Sequence, residues 1–490
     1  MTAAGQSVPA GALRASVVRG LAWKVGSQLL GQGSRIVVGL ILARVLTPHD
    51  FGLAAMALAF SALAMILSDP ALGAALISRP RISEADKSTV FWTTIGVGLL
   101  CTLAGIAIAR PVASFFGDPA VAPLFAVESL TFVLVALSAT QAAILTREMA
   151  FRSLELREMA GTIAGAVVGV TLAFSGAGAW AIIGQSVASA AAATVLLWRF
   201  SPWRPQLIFS MTSLRECGGF GIKLFGSRLL SFLNLNADNL LVGRYLGSAA
   251  LGVYAIAYNV MFAPLARVAQ PVQQVLVPAF TRLQDDPKRA GDVWLRGSLL
   301  TGVVAIPGFV GMSVVAPDFV PVVLGERWEP AAGILQLLCI AGIVQALHML
   351  QWSLLQSRGQ AGTLLRYNLV ATAANMTGFV VGLHWGVKGV AAGFAIARLL
   401  MLPVFPWLAG RGVGVSLGRF LGNLEPVAVA ATAMFAAVLC TRLLLVDAGV
   451  VDAARLVLCV AVGAVTYVGV LAWRSRWLLV DLRRLRGSEA

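Results

Sequence analysis

Residues 20–45 read GLAWKVGSQLLGQGSRIVVGLILARV, and residues 220–245 read FGIKLFGSRLLSFLNLNADNLLVGRY. Each is mostly apolar and longer than the about 20 residues a helix needs to cross a bilayer core. The two align at a constant offset of 200. Gly26-Ser27 matches Gly226-Ser227, and Leu29-Leu30 matches Leu229-Leu230. Leu40, Arg44, Leu46, Gly52, Ala55 and Ala57 match Leu240, Arg244, Leu246, Gly252, Ala255 and Ala257. A membrane-spanning helix that returns two hundred residues later implies a chain built from two copies of one unit.

The rest of the 490-residue chain is of the same kind. Hydrophobic residues make up 58% and charged residues 12%, with a mean hydropathy of +0.85. An ordinary soluble domain is nearer a quarter charged. No globular core absorbs this much apolar side chain without large exposed patches. Soluble enzymes, nucleic-acid-binding proteins and disordered scaffolds are therefore excluded. The formal net charge of +15 does not restore a nucleic-acid partner, because the basic residues sit on short connections between apolar runs. Five scattered cysteines show no metal-ligand spacing and read as small helix-packing residues.

A hydropathy window predicts fourteen spans, at roughly 20–45, 52–78, 89–109, 120–146, 159–176, 178–198, 218–244, 250–278, 295–317, 330–357, 364–384, 387–409, 424–444 and 454–474. Run length and the lack of ten-residue alternation make them helices rather than barrel strands. With both termini cytoplasmic, 24 of the 37 Lys and Arg residues fall on inner connections. Seven fall outside (Arg44, Arg110, Arg244, Arg327, Lys388, Arg442 and Arg455), and six lie within spans. That bias is the positive-inside pattern. The N-terminus lacks the short clean core and cleavage site of a signal peptide, so the first helix is expected to be retained.

The expected fold is an all-α integral membrane protein of about 14 transmembrane helices. Two six-helix lobes repeat in parallel, followed by two C-terminal helices. The boundaries are 1–199 for the N-lobe, 200–217 for a cytoplasmic linker, 218–410 for the C-lobe and 411–490 for the last two helices and a basic tail. Phe116-Gly117-Asp118 and Leu324-Gly325-Glu326 repeat at an offset of 208. Parallel repeats of this kind are a transporter architecture.

The stretch Gly26 to Ala57 resembles the opening of polysaccharide flippases of the multidrug/oligosaccharidyl-lipid/polysaccharide (MOP) superfamily. Three further stretches are similar to that family: Asp69-Pro70-Ala71-Leu72-Gly73 running into Ala75-Leu76-Ile77, Val277 to Asp286, and Leu324 to Trp328. The likeness is greatest to the Wzx-type exporters of lipopolysaccharide and exopolysaccharide. It implies a bacterial inner-membrane protein that moves undecaprenyl-pyrophosphate-linked oligosaccharide by alternating access. The bilayer and the lipid-linked oligosaccharide are then its partners, with a polysaccharide polymerase and export machinery as further expected ones.

Ionisable groups inside spans are costly and face a cavity or a partner. Lys24, Gln28, Gln32 and Arg35 fall on one face of the first helix. In the seventh, Ser227, Ser231, Asn234 and Asp238 do the same, with Lys223 at one end and Arg228 beside them. Arg267 and Gln270 add to the polar set in the eighth helix. The basic members match phosphate oxygens or acidic sugars, although Lys24 and Lys223 also fit snorkelling to the interface. Asp238 carries a coupling proton or cation, or pairs with Arg228 or Lys223. Asp69, before Pro70, fits a kinked helix, and His348 either titrates or packs as a core histidine. Glu128 is open between the same roles as Asp238.

No phosphate-binding P-loop and no metal-binding cluster occurs in the sequence. No cofactor and no catalytic residue is expected. A proton or sodium gradient, the membrane potential or consumption of the product remains as the energy source. An exporter of cationic drugs would want acidic cavity groups. Here six basic intramembrane residues stand against three acidic ones, Asp69, Glu128 and Asp238. A membrane-bound polymerase would want carboxylates on a sizeable outer loop. The largest outer connection, Asp318 to Glu329, holds only Asp318, Glu326 and Glu329.

Overall fold

Helix starts are set by caps that lie in the polar flanks of the apolar runs. The computed structural model describes residues 33–68, 73, 76, 77, 79, 82–215, 232 and 236–474, with backbone alone at 63–68, 266–271, 274, 275 and 361. Ser83 opens α3 (Glu84–Ala107) through a reciprocal capping box. The Asp86 N–H donates to Ser83 Oγ at 3.1 Å, and the Ser83 N–H donates to Asp86 Oδ2 at 2.9 Å. Asp286 accepts from the Arg289 N–H at 3.1 Å, and Pro287 occupies the first turn of its helix. Ser416 accepts from the Arg419 N–H at 3.2 Å. All regular structure among the described residues is helical, and ten stretches are long and apolar enough to cross a membrane. Three of the ten, Val121–Arg147, Pro287–Leu324 and Gly362–Arg411, each contain more than one helical element.

The chain divides into two units, residues 1–236 with Gly247–Ala249, and 237–246 with 250–490. The first contains α1 (33–45), α2 (Pro48–Ser68), α3, α4 (Ala109–Phe116), α5 (Val121–Glu128), α6 (Leu130–Arg147), α7 (Phe151–Phe174) and α8 (Trp180–Phe200). Gly161, Gly165 and Gly169 form the small-residue ladder visible in the sequence, and it meets α8. A Cβ at Gly165 would stand 2.6 Å from the Gln185 carbonyl oxygen, and one at Gly161 2.9 Å from that of Ser189. Within this same unit Ser248 Oγ is 2.7 Å from His49 Nδ1.

The stretch after α8 is tied down despite its polar composition. Trp203 Nε1 donates to Glu84 Oε2 and Trp92 Nε1 to the Gln206 carbonyl, both at 2.8 Å. The Gln206 N–H donates to Ser88 Oγ at 3.1 Å, and the Ser210 N–H to Thr89 Oγ1 at 2.9 Å. Residues 203–210 thus strap the first turns of α3.

The second unit begins with α9 (236–246) and α10 (Ser248–Arg282), apart from the residues assigned above. It continues with α11 (Pro287–Phe319), a π-helical turn Val320–Leu324, a 3₁₀ turn Glu326–Trp328, and α12 (Pro330–Ser357). Then come α13 (Ala361–Gly382), α14 (Gly386–Met401), α15 (Val404–Arg411), α16 (Leu417–Asp447) and α17 (Asp452–Arg474). Trp294 and Phe420, both fully buried, stack at 5.1 Å in one core cluster. A second cluster joins α11 to α16 and α17 through Leu299, Val427, Met434 and Tyr467. The Asp318 carboxylate, fully buried at the end of α11, accepts from Arg442 Nε at 2.6 Å and Arg455 Nε at 2.8 Å. The connection from Asp318 to Glu329, expected as an outer loop, therefore starts inside a helix with its first carboxylate sequestered. The apolar window ended that span at 317, whereas helical hydrogen bonding continues beyond it.

α13 and α14 pack backbone against backbone. A Cβ on Gly382 would stand 2.3 Å from the Gly389 carbonyl oxygen, and one on Gly378 2.5 Å from that of Gly393. Only glycine fits there, because backbone cannot yield as a flexible side chain would. Gly382→Val is expected to destabilise the protein by about 1–3 kcal/mol. Gly418→Val, where a Cβ meets open space, is the control. The melting temperature in detergent reads the difference, and equal values for the two variants would contradict the packing described.

Candidate functional site

The polar residues expected to line a substrate path are distributed unevenly over the described structure. Arg35 lies on α1 and is exposed, next to exposed Ile36 and Val37. Lys24, Gln28, Gln32, Asp69, Arg228, Ser231 and Asn234 lie outside the described residues, as do the side chains of Arg267 and Gln270 on α10. The sites that can be built are therefore those around Asp238, His348 and Glu128.

Asp238 is 4% exposed. Its Oδ2 accepts from the Tyr254 hydroxyl at 2.7 Å, and its Oδ1 from the Asn239 N–H at 2.8 Å. Tyr254 sits on α10, where Tyr254, Tyr258 and Phe262 recur every four residues and so share a face. Their rings follow one another at 6.3 Å between centroids. Arg398 on α14 lies within electrostatic range of Asp238, Tyr258, Tyr367 and His348. Its guanidinium stands 5.0 Å from the Phe394 ring centroid, and its buried Nε has no acceptor among the described residues.

His348, on α12, is buried too. Its Nδ1 is 3.0 Å from the Tyr367 hydroxyl. The ring meets Phe405 edge-on at 5.2 Å, and Tyr367 stacks on Phe405 at 3.8 Å. His348 Nε2 is buried without a partner among the described residues. In the first unit, buried Glu128 at the end of α5 accepts from Ser186 Oγ of α8 at 2.8 Å. Its other oxygen is buried and has no hydrogen-bond partner among the described residues.

Glu128 in the first unit and Asp238 in the second are thus each a buried carboxylate supported by a hydroxyl from a neighbouring helix. In the second unit a guanidinium with no ion pair among the described residues stands near that carboxylate, amid tyrosines. A buried cation left unpaired is costly, and an anion brought beside it offsets that cost. Tyrosine hydroxyls and rings offer hydrogen bonds and flat apolar faces to a polar ligand. A buried carboxylate can exchange its charge with a proton or a small cation.

Tyr254 and Arg398 belong to none of the polar stripes in the sequence. Tyrosine counts as apolar in a hydropathy window, yet the four-residue spacing from Tyr254 to Phe262 was a usable signal. Arg398 was one of six basic residues inside spans, but α14 carries only Lys388 besides it, ten residues away at the start of the helix, so no stripe forms.

Comparison with known proteins adds the family. The model of the family described as "Polysaccharide biosynthesis protein" matches residues 41–333. The lipopolysaccharide biosynthesis protein WzxC of Escherichia coli (strain K12) is 30% identical over 392 residues, 79% of this chain and 80% of its own length. The succinoglycan biosynthesis transport protein ExoT of Rhizobium meliloti (strain 1021) is 26% identical over 484 residues, 97% of each chain. Among solved structures, the lipid II flippase MurJ in an inward closed conformation matches with a TM-score of 0.75. That match covers 92% of this chain and 98% of the other at 14% identity, a likeness of fold alone. The resemblance read from the sequence is borne out: this chain belongs to the polysaccharide biosynthesis protein family and is similar to the Wzx-type protein WzxC over most of its length.

Proposed function

We propose that this protein is a flippase of the bacterial inner membrane. It carries undecaprenyl-pyrophosphate-linked oligosaccharide repeat units to the outer leaflet for exopolysaccharide or lipopolysaccharide assembly, by alternating access. The observation that carries the reading is Arg398, an interior guanidinium with no ion pair among the described residues, near Asp238 and the tyrosines of α10. A pyrophosphate supplies the anion such a site lacks. Arg35, Arg228 and Arg267 serve the same substrate along its path. An exporter of cationic drugs would have no use for this excess of interior basic residues.

Fourteen spans with both termini in the cytoplasm complete the reading. Asp318, Arg442 and Arg455 support that topology: charge bias places all three on the outer side, and they meet in one ion cluster. Asp238 takes a coupling proton or sodium ion. The product passes to a polymerase on the outer side, so the protein is a transporter and performs no bond chemistry itself.

The test is the fate of repeat units in a deletion strain, with leaflet assignment by protected versus accessible glycan. Complete units accumulating on the cytoplasmic side are expected. Normal units outside with long polymer missing would assign the step to polymerisation instead. Arg35→Ala and Arg228→Ala are each expected to lower export several-fold at unchanged amounts of folded protein. Full export by both variants would remove them from the substrate path.

A further inference from the structure

α13 and α14, with Leu337 of α12, enclose an apolar groove of about 650 Å³ in the second unit. Its floor is bare backbone, since Gly378 and Gly382 leave no side chain over Gly393 and Gly389. Val381, Ile396 and Leu400 form its walls. Trp385 and Lys388 close one end, and both are exposed.

Lys388 is placed unusually for a cation. Its Nζ lies 3.6 Å from where a Cβ of Gly333 would stand, over the first turn of α12. The ammonium and the positive end of a 28-residue helix therefore converge on one spot. Neither Glu326 nor Glu329 pairs with it, and no carboxylate among the described residues lies within 4.0 Å of its Nζ. An anion at that spot would be held by both. From Lys388 to Leu400 the groove runs about 18 Å along α14, close to the roughly 15 Å of hydrocarbon in one leaflet.

We infer that this groove is a binding site for an anionic phospholipid. One acyl chain lies on the glycine floor, the phosphate sits on Lys388, and the Trp385 indole stands at headgroup level. Assignment to the outer leaflet rests on the topology proposed above. A phospholipid fits better than the polyprenyl carrier on two counts. A single ammonium matches the single charge of a phosphodiester, whereas a pyrophosphate carries more. The groove accommodates one leaflet's depth of chain, and a polyprenyl tail is several times longer.

The test uses the full chain purified in detergent and mixed with phosphatidylglycerol or phosphatidylcholine, with bound lipid counted by native mass spectrometry. The wild type is expected to retain one phosphatidylglycerol, and Lys388→Glu to lower that occupancy about fivefold or more. Lys388→Arg should retain it, and Ala392→Phe, which fills the groove, should lose it. Lys388 is exposed, so its variants should fold, and a lipid-free melting curve checks this. Equal retention by the wild type and Lys388→Glu overturns the site, as does phosphatidylcholine bound equally well. Displacement by equimolar undecaprenyl phosphate overturns the choice of occupant. An enzyme reporter fused after Trp385, active only outside the cytoplasm, tests the leaflet separately. An inactive fusion would overturn the leaflet and the topology while leaving the binding result to stand.

Discussion

Asp318→Ala is expected to cost the fold about 3–5 kcal/mol, the usual penalty for breaking a buried ion pair from one side. The carboxylate is fully buried between Arg442, at 21% side-chain exposure, and Arg455, at 11%. Removing it leaves two guanidinium groups facing each other in a half-buried site without their shared counter-charge. Arg455→Ala should cost less, because Arg442 keeps its bond to Asp318. The loss should appear as a lower melting temperature and faster proteolysis at the ends of the α16–α17 hairpin. Exchange of all three residues for apolar ones of similar size should return most of the stability. A single Asp318→Ala variant within about 1 kcal/mol of the wild type would mean that solvent already screens the cluster.

Asp238→Asn is expected to lower export at least about tenfold, the equivalent of 1.4 kcal/mol, without loss of folded protein. Asparagine keeps an acceptor for the Tyr254 hydroxyl and the shape of the side chain, so packing around α9 and α10 is preserved. It removes the charge that a proton or cation would neutralise. Tyr254→Phe deletes the hydrogen bond and keeps the charge, and should give the smaller loss. The measurement is surface polysaccharide against repeat units retained inside, at matched protein levels. Wild-type export by Asp238→Asn would make Asp238 a packing residue of the second unit.

The spans were legible because a hydrocarbon solvent forces a simple code on the sequence. The window gave 330–357 for one helix, and α12 is Pro330–Ser357. It began others too late, at 89, 295 and 424, where α3, α11 and α16 begin at Glu84, Pro287 and Leu417. The window sees only the apolar part, whereas Ser83, Asp286 and Ser416 start the helix in the polar flank. Asp238 was legible as an acid in an apolar run. Its partner Tyr254 was legible only through the four-residue spacing to Tyr258 and Phe262, since a phenol is as apolar as its neighbours until an acceptor faces it. The Asp318 cluster, whose members lie 124 and 137 residues apart in the chain, was not legible. Charge bias placed all three residues on one side, but only tertiary packing brings them together.

The strap across α3 bears on how this chain can be handled. Hydropathy marks the stretch after α8 as polar and open, the natural place to insert an epitope, nick the chain with a protease or express the repeats as separate halves. Tolerance of such changes depends on what the local backbone is bonded to. Here the amides of Gln206 and Ser210 and the indoles of Trp92 and Trp203 are committed to bonds that bridge this stretch and α3. An insertion between Trp203 and Ser210 therefore unseats the start of a membrane helix rather than lengthening a loose tether.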